Sequence, residues 1–200
     1  MKKLILLLLF IPLVSFGQDE LKLFIKGKNN FEKENYDKAS TYFNNALELN
    51  PSYVDAHFYT GLLNTKLKQY DKAILNYNKV LELDLYNELA YLNRGRINYI
   101  LKNREAAQSD FKNAIEIDSK FIEAYDNLVL VSQSLKDYKT GLLAITKLIE
   151  LNPNFRNFFR RGLIKYRMGD KVGACKDANK SKKINPNFSL VNQLIKNSCN

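Results

Sequence analysis

Residues 36–51 read YDKASTYFNNALELNP, and residues 70–85 read YDKAILNYNKVLELDL, the same pattern 34 positions on. A further step reaches REAAQSDFKNAIEIDS from Arg104, and the next reaches YKTGLLAITKLIELNP from Tyr138. The last copy, KVGACKDANKSKKINP from Lys171, comes 33 residues later, one residue having been lost near Phe155. Within a copy the apolar residues Tyr36, Ala39, Phe43, Ala46 and Leu47 follow one another at three- and four-residue spacing. That is the stripe of an amphipathic helix. A fixed period of this length marks stacked supersecondary units, none of which can bury its apolar face alone.

A second block precedes each copy, for example AHFYTGLLNTKLK from Ala56, AYLNRGRINYILK from Ala90 and NFFRRGLIKYRMG from Asn157. Gly27, Gly61, Gly95 and Gly162 share one place in these blocks. Ala39, Ala73, Ala107 and Ala174 share a place in the second blocks, as do Phe43, Tyr77 and Phe111. The small residues are expected to let the two helices of a pair approach closely. The aromatic is expected to fill the space between adjacent pairs. Pro51, Pro153 and Pro186 close their copies and are expected to stop the second helix. In the fourth copy Val129 replaces the glycine and Gly141 the alanine, which suggests a paired swap of bulk between facing helices. Copies two and three end in Leu85 and Ser119 instead of Pro. The fifth has Ala178 and Ser181 where an aromatic and an alanine are expected, and should pack loosely.

These columns resemble tetratricopeptide repeats, over about 168 of the 200 residues. The resemblance implies an all-α fold: a right-handed superhelical solenoid of about five antiparallel helix pairs with a C-terminal capping helix. The repeats fall at approximately 20–53, 54–87, 88–121, 122–155 and 156–188, inside a domain covering 18–200. The cap is expected at 189–199, with Leu190, Leu194 and Ile195 as its apolar stripe.

Residues 1–17, MKKLILLLLFIPLVSFG, have the order of a secretory signal peptide. Lys2 and Lys3 form the basic start, Leu4–Val14 the apolar run, and Ser15 and Gly17 the small residues before a cut that would leave Gln18 first. The run is too short for a spanning helix, which needs roughly 20 apolar residues. The protein is expected to be exported, periplasmic or secreted, in the style of repeat proteins of Gram-negative bacteria. Export places its two cysteines, Cys175 and Cys199, where a disulfide can form. The chain turns back between them, so a bond clipping the cap to the last repeat is expected, with two free thiols as the alternative. Closing such a loop is worth on the order of 2–4 kcal/mol.

The formal charge of +10 is unevenly placed. Residues 156–200 hold eleven Lys or Arg and two Asp, whereas residues 18–155 hold 18 basic and 19 acidic residues. An exported chain rarely meets nucleic acid, so no nucleic-acid partner is expected. His57 is the single histidine and takes the place of a large packing aromatic. There is no phosphate loop, metal-ligand cluster or Cys-x-x-Cys pair, and the carboxylates read as solvated charge on exposed helix faces. No catalytic residue, cofactor or metal is therefore expected, and the protein is read as a non-enzymatic scaffold.

In tetratricopeptide proteins the first helices line a concave face. On that resemblance the groove would hold Phe24, Phe58, Tyr59, Leu62, Leu92, Arg96, Tyr99, Asn127, Arg156, Phe159, Arg160 and Tyr166. An aromatic floor would meet a basic wall and suit a peptide or protein partner with an acidic portion. Some family members hold a partner's C-terminal carboxylate with basic residues and Asn on successive first helices, and Arg96, Asn127, Arg156 and Arg160 lie in comparable places. Leu92 stands where such members carry a further polar residue. The alternative is a peripheral envelope protein whose basic C-terminal end contacts anionic lipid or cell-wall polymer.

Overall fold

The computed structural model describes residues 16–199. The export segment expected at 1–17 lies outside these residues, apart from the last two, which open the first helix. Eleven helices and no strand occur among the described residues. The contacts divide the chain into two compact units that part between Leu83 and Asp84.

The first unit holds α1 (Phe16–Glu32), α2 (Tyr36–Leu49), α3 (Val54–Lys66) and α4 (Tyr70–Leu83). Successive helices pack on one another, and α1 also touches α3. Phe24, Ala39, Phe43, Ala46, Ala56 and Leu63 form its buried core. The second unit holds α5 (Glu88–Ile100), α6 (Arg104–Ile117), α7 (Ile122–Ser134), α8 (Tyr138–Leu151), α9 (Phe155–Arg167), α10 (Lys171–Ile184) and α11 (Leu190–Ser198). Here too successive helices pack, and α5 touches α7 as α9 touches α11.

The glycine column explains how each pair closes, and it adds a contact to the sequence expectation. A Cβ on Gly27 would lie 2.6 Å from the Phe43 ring, on Gly61 2.7 Å from Tyr77, and on Gly95 2.8 Å from Phe111. The aromatic thus packs on the glycine of its own pair and also reaches the next pair, as Phe43 reaches Tyr59 with ring centroids 6.0 Å apart. In the fourth pair Val129 stands in the glycine place and Ile145 in the ring place, both fully buried in one cluster. The swap of bulk is therefore Val129 for glycine and Ile145 for ring. Gly141 is not its partner, because a Cβ there would face Ser132 and Ile164. In the fifth pair Ala178 leaves the ring place open, and Leu194 of α11 fills it, 3.0 Å from a Cβ on Gly162.

That pair is not loosely packed. Ala174, Ala178, Val191 and Leu194 are buried together. The Ser181 hydroxyl donates to the Phe155 carbonyl at 2.8 Å. Val191, not Leu190, carries the cap's inner stripe: α11 turns Val191, Leu194 and Ser198 inward and leaves Leu190 exposed. Cys175 and Cys199 are bonded, with Cα atoms 5.1 Å apart, and tie α11 to α10.

Turns follow the same repeat. Within each pair the first helix ends on a residue in the left-handed region: Glu34, Lys68, Lys102, Lys136 and Gly169. The next amide reaches back to the carbonyl five residues earlier, as in Gln69 to Asn64 and Asn103 to Asn98, both at 2.8 Å. This is the Schellman ending, which glycine fits without steric cost. Four of the five positions carry a side chain that disfavours it. Lys102→Gly is therefore expected to stabilise the chain by roughly 0.5–1 kcal/mol. Gly169→Ala should cost about as much, and urea unfolding would read both.

Between pairs the stop is made by an Asn or Asp, not chiefly by proline. Asn50 accepts from the Ser52 amide, Asp84 from Tyr86, Asp118 from Lys120 and Asn185 from Asn187, at 2.9–3.1 Å. Leu85 and Ser119 can replace proline because this side-chain turn holds the chain.

Candidate functional site

Three first helices of the second unit, α5, α7 and α9, border a cavity of about 540 Å³. Arg96 reaches it from α5, Glu123, Asp126 and Asn127 from α7, and Arg156 and Arg160 from α9. Four of the residues named from sequence thus converge.

Their charges are partly answered. Arg160 bonds the Asp126 carboxylate and lies 3.4 Å from the Asp126 carbonyl. Arg96 lies 3.9 Å from Glu123, with both side chains well exposed. The Asn127 amide donates to the Glu123 carbonyl at 2.7 Å, leaving its own oxygen free to accept. Arg156 lies over the Phe155 ring, 5.3 Å from its centroid, and among the described residues no carboxylate reaches it. Three guanidinium groups face two carboxylates, so one positive charge remains. Ile122 and Phe155 give the cavity an apolar edge.

The aromatic floor is different from expectation. Leu92 is 1% exposed inside the core cluster, so it cannot touch a partner. It lies on the buried side of α5 with Ala90, Gly95, Ile97 and Asn98. Phe159 is half-buried against Phe188, with ring centroids 5.0 Å apart, and Tyr166 packs in the same cap cluster. The Tyr99 hydroxyl lies 3.2 Å from that of Ser134. Phe58 and Tyr59 belong to the first unit, where Phe58 packs on Tyr77 and Tyr59 on Phe24 and Phe31. Phe24 is buried there, and Leu62 is half-buried. These aromatics hold helices together first and offer only edges outward.

Glu123 and Asp126 are cavity residues that sequence reading passed over. Their signal was spacing: Asp126 and Arg160 stand 34 apart, on corresponding faces of successive first helices. His57 is held by hydrogen bonds, Nε2 to the Pro51 carbonyl at 2.9 Å and Nδ1 to Asn76 at 3.4 Å. It ties the turn before α3 to α4. Among the described residues no group of three His, Cys, Asp or Glu could hold a metal ion, and no helix is long and apolar enough to cross a membrane.

A tetratricopeptide repeat family model matches residues 26–88, and a second matches residues 89–121. The chain carries tetratricopeptide repeats. Solved tetratricopeptide-like structures share the fold. MamA is 22% identical, with 87% of this chain and 96% of that chain covered and a TM-score of 0.77. YrrB, described as a tetratricopeptide protein with an unusual peptide-binding site, is 18% identical, with 89% and 92% covered and a TM-score of 0.77. PilF of Pseudomonas aeruginosa is 21% identical, with 90% and 82% covered and a TM-score of 0.68. No curated protein matches the chain in sequence.

Proposed function

We propose that this tetratricopeptide protein is an exported, non-enzymatic scaffold that binds a peptide or protein partner at the α5–α7–α9 cavity through a carboxylate. The observation that carries this reading is Arg156. It stands at the cavity with no acidic partner, beside Arg160, which Asp126 holds, and Arg96, which lies 3.9 Å from Glu123. A guanidinium can grip a carboxylate through two parallel hydrogen bonds. The Asn127 oxygen and the edges of Ile122 and Phe155 suit an amide and an apolar side chain next to that acid. A strongly polyacidic segment fits less well, because Glu123 and Asp126 would repel its further charges. Repeat scaffolds commonly present such surfaces for binding. Export is supported by the order of residues 1–17 and by the bonded cysteines, since disulfides persist in oxidising compartments.

The test is affinity capture from the envelope fraction, with the wild type beside Arg156→Glu. The variant should remain folded by circular dichroism, because Arg156 is exposed. One protein retained by the wild type should be lost by the variant, its affinity falling at least about tenfold, as expected when a charge-assisted bond becomes a repulsion. Equal capture by both would remove the cavity from the functional reading.

A further inference from the structure

The last two helices divide their charge in an unusual way. Residues 171–199 contain six lysines and a single acid, Asp177. That carboxylate is buried and held by Arg161 at 2.7 and 2.8 Å and by Lys165 at 2.8 Å. No carboxylate side chain of α10 or α11 therefore reaches solvent, whereas Lys171, Lys176, Lys180, Lys183 and Lys196 all do.

On α10 the division is sharp. Ala174, Asp177, Ala178 and Ser181 face inward. Val172, Lys176, Lys180, Lys183 and Ile184 recur at helical spacing on the outer side, all exposed. Val172 is 83% exposed and Ile184 49%. Leu190, at the start of α11, is 66% exposed. The lysines thus have apolar side chains at either end. The Lys180 ammonium lies 4.6 Å from the centroid of the Phe158 ring, which holds that side chain against the surface. The Cys175–Cys199 bond fixes α11 against α10, so the face is presented on a braced pair of helices.

We propose that this outer face of α10, together with the exposed Leu190 at the start of α11, docks the protein on an anionic phospholipid surface. Charge complementarity supplies the attraction, since clustered lysines bind anionic headgroups. The exposed apolar residues choose the occupant. A soluble polyanion, such as a cell-wall polymer, gives Val172, Ile184 and Leu190 nothing to bury against. The boundary between headgroups and acyl chains takes both kinds of side chain at once. The proposal does not depend on the α5–α7–α9 cavity, which lies on other helices.

The test is sedimentation of the full chain with vesicles of phosphatidylcholine, with and without phosphatidylglycerol. All forms compared share one N terminus, so differences among them read the outer face alone. The wild type should bind phosphatidylglycerol vesicles, and less as salt is raised. The triple variant Lys176→Glu, Lys180→Glu, Lys183→Glu should bind at least about tenfold more weakly. A variant with the same change of charge elsewhere in the second unit, Lys102→Glu, Lys112→Glu, Lys120→Glu, should stay within about threefold of the wild type. Val172→Ser with Leu190→Ser should weaken binding several-fold while leaving the charge unchanged. No binding by the wild type, or equal loss in both triple variants, overturns the proposal. So does binding that ignores the two serine changes and is removed by soluble polyphosphate, which would mark a polyanion site. Circular dichroism on every variant separates loss of docking from loss of fold.

Discussion

Asp177→Ala is expected to cost about 3–5 kcal/mol, enough to unfold the last helix pair in mild denaturant. The side chain is 2% exposed and accepts three charge-assisted bonds, two from Arg161 and one from Lys165. Removing it leaves two cations side by side with their partner gone and little water to replace it. The corresponding pair, Arg94 with Asp110, occurs two repeats earlier, supported there by Asn98 at 3.1 Å. Asp110→Ala should cost less, because it strands one cation instead of two. Burial is the largest single influence on the Asp177 carboxyl and pushes its pKa up. The hydrogen bonds from Arg161 and Lys165, with their charges, together outweigh burial and hold it below the usual carboxylate value. The sign of the pH dependence follows. A group whose folded pKa is depressed stabilises the fold above its unfolded value, and that stability is lost as pH falls through the folded value. Asp177→Asn should therefore lower stability at neutral pH and flatten the acid limb of a urea-midpoint profile. A variant within about 1 kcal/mol of the wild type at neutral pH would remove Asp177 from the ion-pair account.

The period of the chain made the helix pairs legible, because a face that must be buried repeats with the unit that buries it. What it left open was which buried residue meets which. Spacing along one helix says that Phe111 faces inward, but not that its ring lies on Gly95. The expected swap between Val129 and Gly141 failed for that reason, and the pairing lies with Ile145. Likewise Leu190 and Val191 both fit an apolar stripe, and only the place of α11 against α10 selects Val191. The turns had a signal that proline obscured. Asn50, Asp84, Asp118, Asn152 and Asn185 form a column as regular as the glycines, and four of them make the side-chain turn.

The candidate site was half legible. Arg96, Asn127, Arg156 and Arg160 were placed on one face by the resemblance to tetratricopeptide repeats, and they do border one cavity. Their charge balance was not visible, because counting residues along the chain treats Glu123 and Asp126 as solvated surface. Across the repeat they sit beside Arg96 and Arg160 and reduce three positive charges to one. The aromatics were overvalued for the opposite reason. A ring at a groove position also sits where neighbouring helices meet, and Phe159 against Phe188 shows packing claiming it first.

Gly95→Val should destabilise the third pair by about 2–3 kcal/mol, and Phe111→Ile made with it should restore much of that loss. A Cβ at Gly95 would stand 2.8 Å from the Phe111 ring and 3.0 Å from the Asp110 Cβ. The ring is 1% exposed and has no free space to retreat into. The helix gains only about 0.5 kcal/mol when valine replaces glycine, and the clash outweighs it. Phe111→Ile alone should also cost about 2–3 kcal/mol, by leaving a void beside the glycine. The two changes together reproduce the fourth pair, where Val129 and Ile145 fill the same space with both side chains fully buried. Each change then cures the defect of the other, and the double variant should lose no more than about 1 kcal/mol, some 3–5 kcal/mol less than the sum of the single losses. Urea unfolding of the four forms measures this coupling directly. If the losses simply add, the glycine and the ring do not share one space, and the rule that closes each helix pair must be sought elsewhere.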